Sequence, residues 1–194
     1  MDMDVIGVLE LSSIAAGVLA LDVMVKAAPV EIVATRTICP GRMVIVITGD
    51  EASVELALEA GKRDRQSFLV DELYIARLHP LVLPAIRGRG EAGEWDALGV
   101  IESNSAASGV EAADVAAKAA AVRIAQVRLA GGMGGKSTVK VVGSLEDVEA
   151  AVGAAAARVR DKGLLCNSVI LPRPHPDIRP FVLDPLHEGA RLWS

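Results

Sequence analysis

The chain has 194 residues, room for one domain or two small ones, and although half are apolar only 3% are aromatic, so a core must be built from Ala, Val, Ile and Leu. A formal net charge of −5, a pI near 5.3 and the lack of any Lys/Arg block argue against nucleic acid as a partner, and charges interrupt each apolar stretch before the roughly 18 residues that a bilayer span needs, which argues against a membrane. The acidic start Met1-Asp2-Met3-Asp4 resembles neither a secretory signal nor a transit peptide, and two cysteines make no disulfide framework, so a soluble cytoplasmic protein is expected.

A first strand is predicted over Val5–Leu11 and a helix over Ser13–Ala28. In that helix Ile14, Val18, Leu21 and Val25 recur at helical spacing, giving one apolar face of the kind a helix turns to a core. Pro29 stops it. Two β-rich runs, Val30–Ile38 and Met43–Thr48, are joined by a turn; a second helix starts after Gly49-Asp50, and a last strand is read over Leu73–Ala76. The stretch Pro84–Ala97, with Gly88, Gly90 and Gly93, reads as a connection. The same order then returns: strand Leu98–Ser103, helix Ser105–Ala120, runs Val122–Ala130 and Ser137–Val142, a helix after Gly143-Ser144 and a strand over Ser168–Pro172. Ser144-Leu145-Glu146-Asp147 resembles a capping box with Asp in the place of Glu. From Pro176 onward three prolines (Pro176, Pro180 and Pro185) and no periodicity read as a tail.

The return is a true internal repeat. Ile6-Gly7-Val8-Leu9-Glu10 recurs as Leu98-Gly99-Val100-Ile101-Glu102, an offset of 92 that also pairs Ser13 with Ser105, Asp22 with Asp114, Lys26 with Lys118 and Arg36 with Arg128. The offset grows to 94, pairing Gly41-Arg42 with Gly135-Lys136, and to 96, pairing Arg77 with Arg173 and His79-Pro80 with His175-Pro176. Two copies are too few for a solenoid, so the prediction is two globular α+β modules in tandem, each βαββαβ in ferredoxin-like order with a four-stranded antiparallel sheet. The first spans residues 4–86, the linker 87–97, the second 98–180 and the tail 181–194.

Ile6-Gly7-Val8-Leu9-Glu10, Asp22…Lys26-Ala27-Ala28, the glycine-containing loops and Pro172-Arg173-Pro174-His175 together resemble the bacterial microcompartment (BMC) shell domain, in its unpermuted form, over roughly residues 5–176. A tandem pair resembles the trimeric class, and Ile38-Cys39-Pro40-Gly41 with Gly134-Gly135-Lys136 is similar to the loops of tandem shell proteins from propanediol-utilisation compartments. The resemblance implies a homotrimer forming a flat pseudohexameric disc, which tiles with other shell proteins in a microcompartment and meets encapsulated redox enzymes. It implies no catalytic residues. It implies that loops Ile38, Cys39, Pro40, Gly41 and Gly131, Gly132, Met133, Gly134, Gly135, Lys136 line a central pore. Lys26, Lys118, Arg77, Arg173, His79 and His175 are implied to make edge contacts between discs. It implies one [4Fe–4S] cluster per trimer, ligated by Cys39 of each chain for electron transfer or gated passage.

Each residue also has a plainer reading. One thiol per chain cannot hold a cluster without a threefold axis, and a free cysteine is often only a buried thiol. A metal-free pore with Cys39 as lining stays open, as does a small-molecule-binding ferredoxin-like protein, although no Ser/His/Asp set, carboxylate pair or metal spacing supports the latter. Cys166, matched by Val70, is read as core. Glu10 and Glu102 are read as structural, with no evident partner. The run from Ala130 to Ser137 fits a loose phosphate-loop pattern, but an alternating β pattern follows Lys136 where a helix is required.

Overall fold

A computed structural model of the chain describes residues 5–93, 96–130 and 132–183. Copy one contains β1 (Ile6–Leu11), α1 (Ile14–Ala27), β2 (Glu31–Ile38), β3 (Arg42–Thr48), α2 (Glu51–Lys62) and β4 (Leu69–Ile75). A short helix α3 (Val82–Ile86) follows. Copy two contains β5 (Ala97–Ser103), α4 (Ala106–Ala119), β6 (Arg123–Leu129), β7 (Ser137–Gly143), α5 (Leu145–Asp161) and β8 (Leu165–Pro172), then α6 (Arg179–Leu183). The sheets are antiparallel with strand orders β2-β3-β1-β4 and β6-β7-β5-β8. Even the bulges match: one falls between Glu10 and Leu11 and its counterpart between Glu102 and Ser103.

The helix starts follow from capping chemistry. Ser13, Asp50, Ser105 and Ser144 each sit in extended backbone and accept a hydrogen bond from the N–H three residues on, satisfying a donor the helix cannot. Small residues then let the helices lie close to the strands. A Cβ on Gly17 would fall 2.6 Å from Met43, and one on Gly109 only 2.0 Å from the Ser137 hydroxyl.

The period-two alternation of β1, β3 and β4 splits the first sheet. Leu9, Leu11, Ile45 and Ile47 join Ala20, Met24, Val54 and Leu58 in a cluster under α1 and α2. Ile6, Val8, Val44, Val46 and Leu73 face the other way and belong to one buried cluster with most of the core of copy two, including Val110 and Ala117 of α4. Helix α4 is thus pressed between its own sheet and β4 of copy one.

Four expectations change. The apolar stripe of α1 meets its own core only in part: Leu21 packs against the first cluster and α1 buries Gly17, Ala20 and Met24, while Ile14, Val18 and Val25 are 41%, 57% and 41% exposed. The matched residues of α4, Ala106, Val110 and Ala117, are all buried, because β4 covers them. The connecting stretch is not free chain. Its start forms α3, which tolerates Pro84 in its first turn and buries Val82, Leu83, Ala85 and Ile86. Its remainder lies on β6: the Glu91 N–H donates to the Ile124 carbonyl at 3.1 Å, and a Cβ on Gly90 would come within 2.3 Å of the Ala125 carbonyl oxygen. The last strands begin three or four residues earlier than read, at Leu69 and Leu165. Of the expected tail, 181–183 continue α6, and residues 184–194 lie outside the described residues, as does Asp4.

Candidate functional site

The two loops named by the repeat are the β2–β3 and β6–β7 turns. In the first, the Gly41 N–H closes on the Ile38 carbonyl at 2.9 Å, and the Cys39–Pro40 peptide is cis. Gly41 has φ of 85°, which glycine adopts without strain. Ile38 is buried, whereas Cys39, Pro40 and Gly41 are exposed, so the turn presents its thiol outward.

In the second loop Gly132, Gly134 and Gly135 all have positive φ, and the Lys136 N–H donates to the Met133 carbonyl at 3.2 Å. Gly131 lies outside the described residues. Ser137 opens β7 directly after Lys136, so no helix N-terminus is available to a phosphate. The loops of the two copies touch: a Cβ on Gly135 would lie 3.1 Å from the Cys39 carbonyl oxygen and 3.2 Å from Arg42. Both are therefore parts of one surface.

Each loop is braced by an ion pair that the separate reading of Glu10 and Glu102 did not anticipate. Arg42 donates to Glu10 at 2.9 Å, and Lys136, its repeat counterpart, donates to Glu102 at 3.1 Å. A basic residue after the loop glycine in both copies, in step with the paired glutamates, was the available signal. Burial of Glu10 pushes its carboxyl above the ordinary value, partly opposed by hydrogen bonds from the Ala106 N–H and Arg42. Lys136 is held above the ordinary lysine value first by Glu102 and then by the nearby Cys166 thiol. Its charge is tied to the sheet. Cys166 itself is exposed, contrary to the core reading, because β8 is the outer strand of its sheet.

Between the copies lies a charged junction. Asp71 on β4 accepts from the Ser105 and Ser108 hydroxyls of α4 and from Lys162 at 3.1 Å. Glu111 on α4 accepts from Arg158 at 2.6 Å and Lys162 at 3.1 Å. Beside them opens a groove of about 740 Å³ floored by Leu73, Tyr74 and Ile75. None of Asp71, Glu111, Arg158 or Lys162 was singled out from sequence; the repeat places Asn167, Leu19, Asp64 and Gln66 opposite them, so no matched pattern marks them.

The expected edge residues divide into two sets. Arg77, His79 and Lys118 come together: Asp114 accepts from the His79 N–H at 2.8 Å and from Lys118, which also donates to the Arg77 carbonyl. Lys26, Arg173 and His175 share no such contact. Lys26 pairs with Asp22 at 2.7 Å, the Arg173 N–H donates to the Asp96 carbonyl at 2.7 Å, and His175 Nδ1 accepts from the Asp177 N–H at 3.3 Å. Among the described residues no group of three or more His, Cys, Asp and Glu could hold a metal ion, and no helix is long and apolar enough to cross a membrane.

The BMC domain family matches residues 5–78 and 97–174. The chain is 41% identical to the bacterial microcompartment shell protein PduT of Citrobacter freundii, over 88% of this chain and 92% of that protein. It is 37% identical to the shell protein EutM of Salmonella typhimurium, over 43% of this chain and 84% of that one. A microcompartment protein of Desulfitobacterium hafniense superposes with a TM-score of 0.83 at 38% identity, covering 91% of this chain and 98% of that structure. The chain belongs to the BMC-domain family and is a tandem shell protein of a bacterial microcompartment.

Proposed function

We propose that three copies of this chain close head to tail into a pseudohexameric disc that tiles the shell beside other shell proteins, catalyses no reaction, and carries a [4Fe–4S] cluster on its axis. The exposed stripe of α1 carries the ring reading. Within the chain, β4 and α3 of copy one cover α4 and β6 of copy two. The matched pair on the outside is α1 and β2 at one end and β8 and α6 at the other. Residues buried in the first pair stand open in the second: Ile32 on β2 is 42% exposed where Ile124 on β6 is 1%. Repeating the internal junction between chains fills both ends, and a heterologous contact that closes gives a ring.

The cluster reading rests on donor chemistry. Cys39 is an exposed thiol on a turn touching the other loop of its chain, and three such turns around an axis bring three soft thiolates to one place. Cys39 is the residue that would hold the cluster, which supplies one-electron redox chemistry when bound. The chain's own loops position the thiol and limit the opening, and Arg42 and Lys136 stay anchored to their glutamates. An encapsulated redox enzyme is the fitting electron partner.

Analytical ultracentrifugation with anaerobic iron and sulfide quantification and EPR tests both parts. Trimers holding about four irons, with Cys39→Ala still trimeric but iron-free, are expected. Iron-free trimers after anaerobic reconstitution would leave a metal-free pore tile; monomers at high concentration would remove the disc.

A further inference from the structure

Resting on the ring proposed above, we infer that the junction between chains is chemically unlike the junction within a chain: it is an apolar contact centred on Leu19 of one copy and Val169 of the next, and it selects a second copy of this chain as its occupant. The repeat maps each side of the internal junction onto an outer surface. Asp71 becomes Asn167, Leu73 becomes Val169, Glu72 becomes Ser168 and Tyr74 becomes Ile170 on β8. On the helix side Ser108 becomes Ala16 and Glu111 becomes Leu19. Asp71, Glu111 and Lys162 are thus replaced by the uncharged Asn167, Leu19 and Gln66, while Asp64 stands for Arg158 and, at the edge, Asp22 and Lys26 stand for Asp114 and Lys118. Leu19 and Val169 are 53% and 43% exposed, among the large apolar side chains left open by the chain. They occupy the positions of Glu111 and Leu73, which line one groove in the internal junction.

Charge complementarity fixes which surfaces can meet. Were α1 of one copy to dock on β4 of another, Ser13 would stand where Ser105 does, but Asp71 would face Ala16 and Leu19 and lose the Ser108 hydroxyl and the Lys162 ammonium that it now holds. A largely buried carboxylate that loses its countercharge is costly, so this wrong pairing is disfavoured. Docking on β8 presents the neutral Asn167 and the apolar Val169 to the same stripe. The alternation of a charged and an apolar junction therefore keeps chains in head-to-tail order.

The test is sedimentation of the full chain across salt concentration, with circular dichroism to report folding. The wild-type trimer should persist from low salt to about 1 M salt, because apolar contacts are not screened. Leu19→Glu should raise trimer dissociation about a hundredfold or more while leaving the monomer folded, since Leu19 is exposed there. Val169→Lys should do the same, and the Leu19→Glu/Val169→Lys double variant should regain trimers that fall apart in salt. Trimers that persist unchanged in Leu19→Glu, or a wild-type trimer that dissociates in salt, would overturn this inference and leave the disc standing. A wild-type chain that is monomeric at high concentration would overturn the disc itself.

Discussion

The carboxylate of Glu10 accepts a hydrogen bond from the Ala106 N–H, 96 residues further along the chain, at 2.7 Å. A side chain on the first strand of copy one thus satisfies the open N-terminus of a helix in copy two, while its other oxygen holds Arg42. Loop brace and module junction share one residue.

Replacing Glu10 by alanine should lower stability by about 3 kcal/mol, because a buried helix N–H and the Arg42 guanidinium both lose their acceptor. Denaturant unfolding of the two proteins at neutral pH measures this.

The pH dependence has a definite sign. The folded carboxyl of Glu10 sits above its ordinary 4.5, chiefly through burial, so the folded state binds its proton more tightly than the unfolded chain does. Its contribution to stability is therefore greatest below that ordinary value and is lost as pH rises through the folded value. Relative to Glu10→Gln, which cannot titrate, the wild type should lose ground steadily as pH climbs across that window. Denaturation midpoints of both proteins between acid and neutral pH would expose a flat or reversed difference.

Asp50 should behave oppositely. Its carboxyl lies below the ordinary 3.8, first because the Ser53 hydroxyl and then the Ser53 N–H donate to it. The stability it supplies is present above that ordinary value and is lost as pH falls through the folded one. In acid scans Asp50→Asn should melt at a temperature that depends less on pH than the wild type.

Two glycines in helices should respond with opposite signs. At Gly153 nothing lies within 4 Å of an added Cβ, so Gly153→Ala should stabilise by about 0.5–1 kcal/mol through helix propensity. At Gly109 the new methyl meets Ser137, whose hydroxyl is already bonded to Ser103 and to the Ser105 carbonyl, so it cannot yield freely. A net loss of about 2 kcal/mol is expected from overpacking. Thermal melts of the pair decide it, and equal shifts would contradict the close approach of α4 to β7.

Most of the architecture was legible because the chain states it twice. The offset between Gly7 and Gly99 made the order of elements in each copy readable, and Ser144 announced its helix by local chemistry. The stripe Ile14, Val18 and Val25 was legible as apolar, but periodicity cannot say whether a face meets its own sheet or another chain. Cys166 misled through its apolar counterpart Val70, since matched identity does not fix exposure at the outer strand of a sheet. The Asp71–Lys162 pair joins residues 91 positions apart with no echo in the repeat, so only the folded chain brings them into view.

The strap of residues from Gly88 to Gly93 has a kinetic consequence. Because Gly90 lets it lie against β6, the first two modules meet at an effective concentration set by a short tether instead of by how much protein a cell makes. Assembly of the proposed disc then begins from bodies that are already paired: three chains join in two associations, where six separate modules would need five.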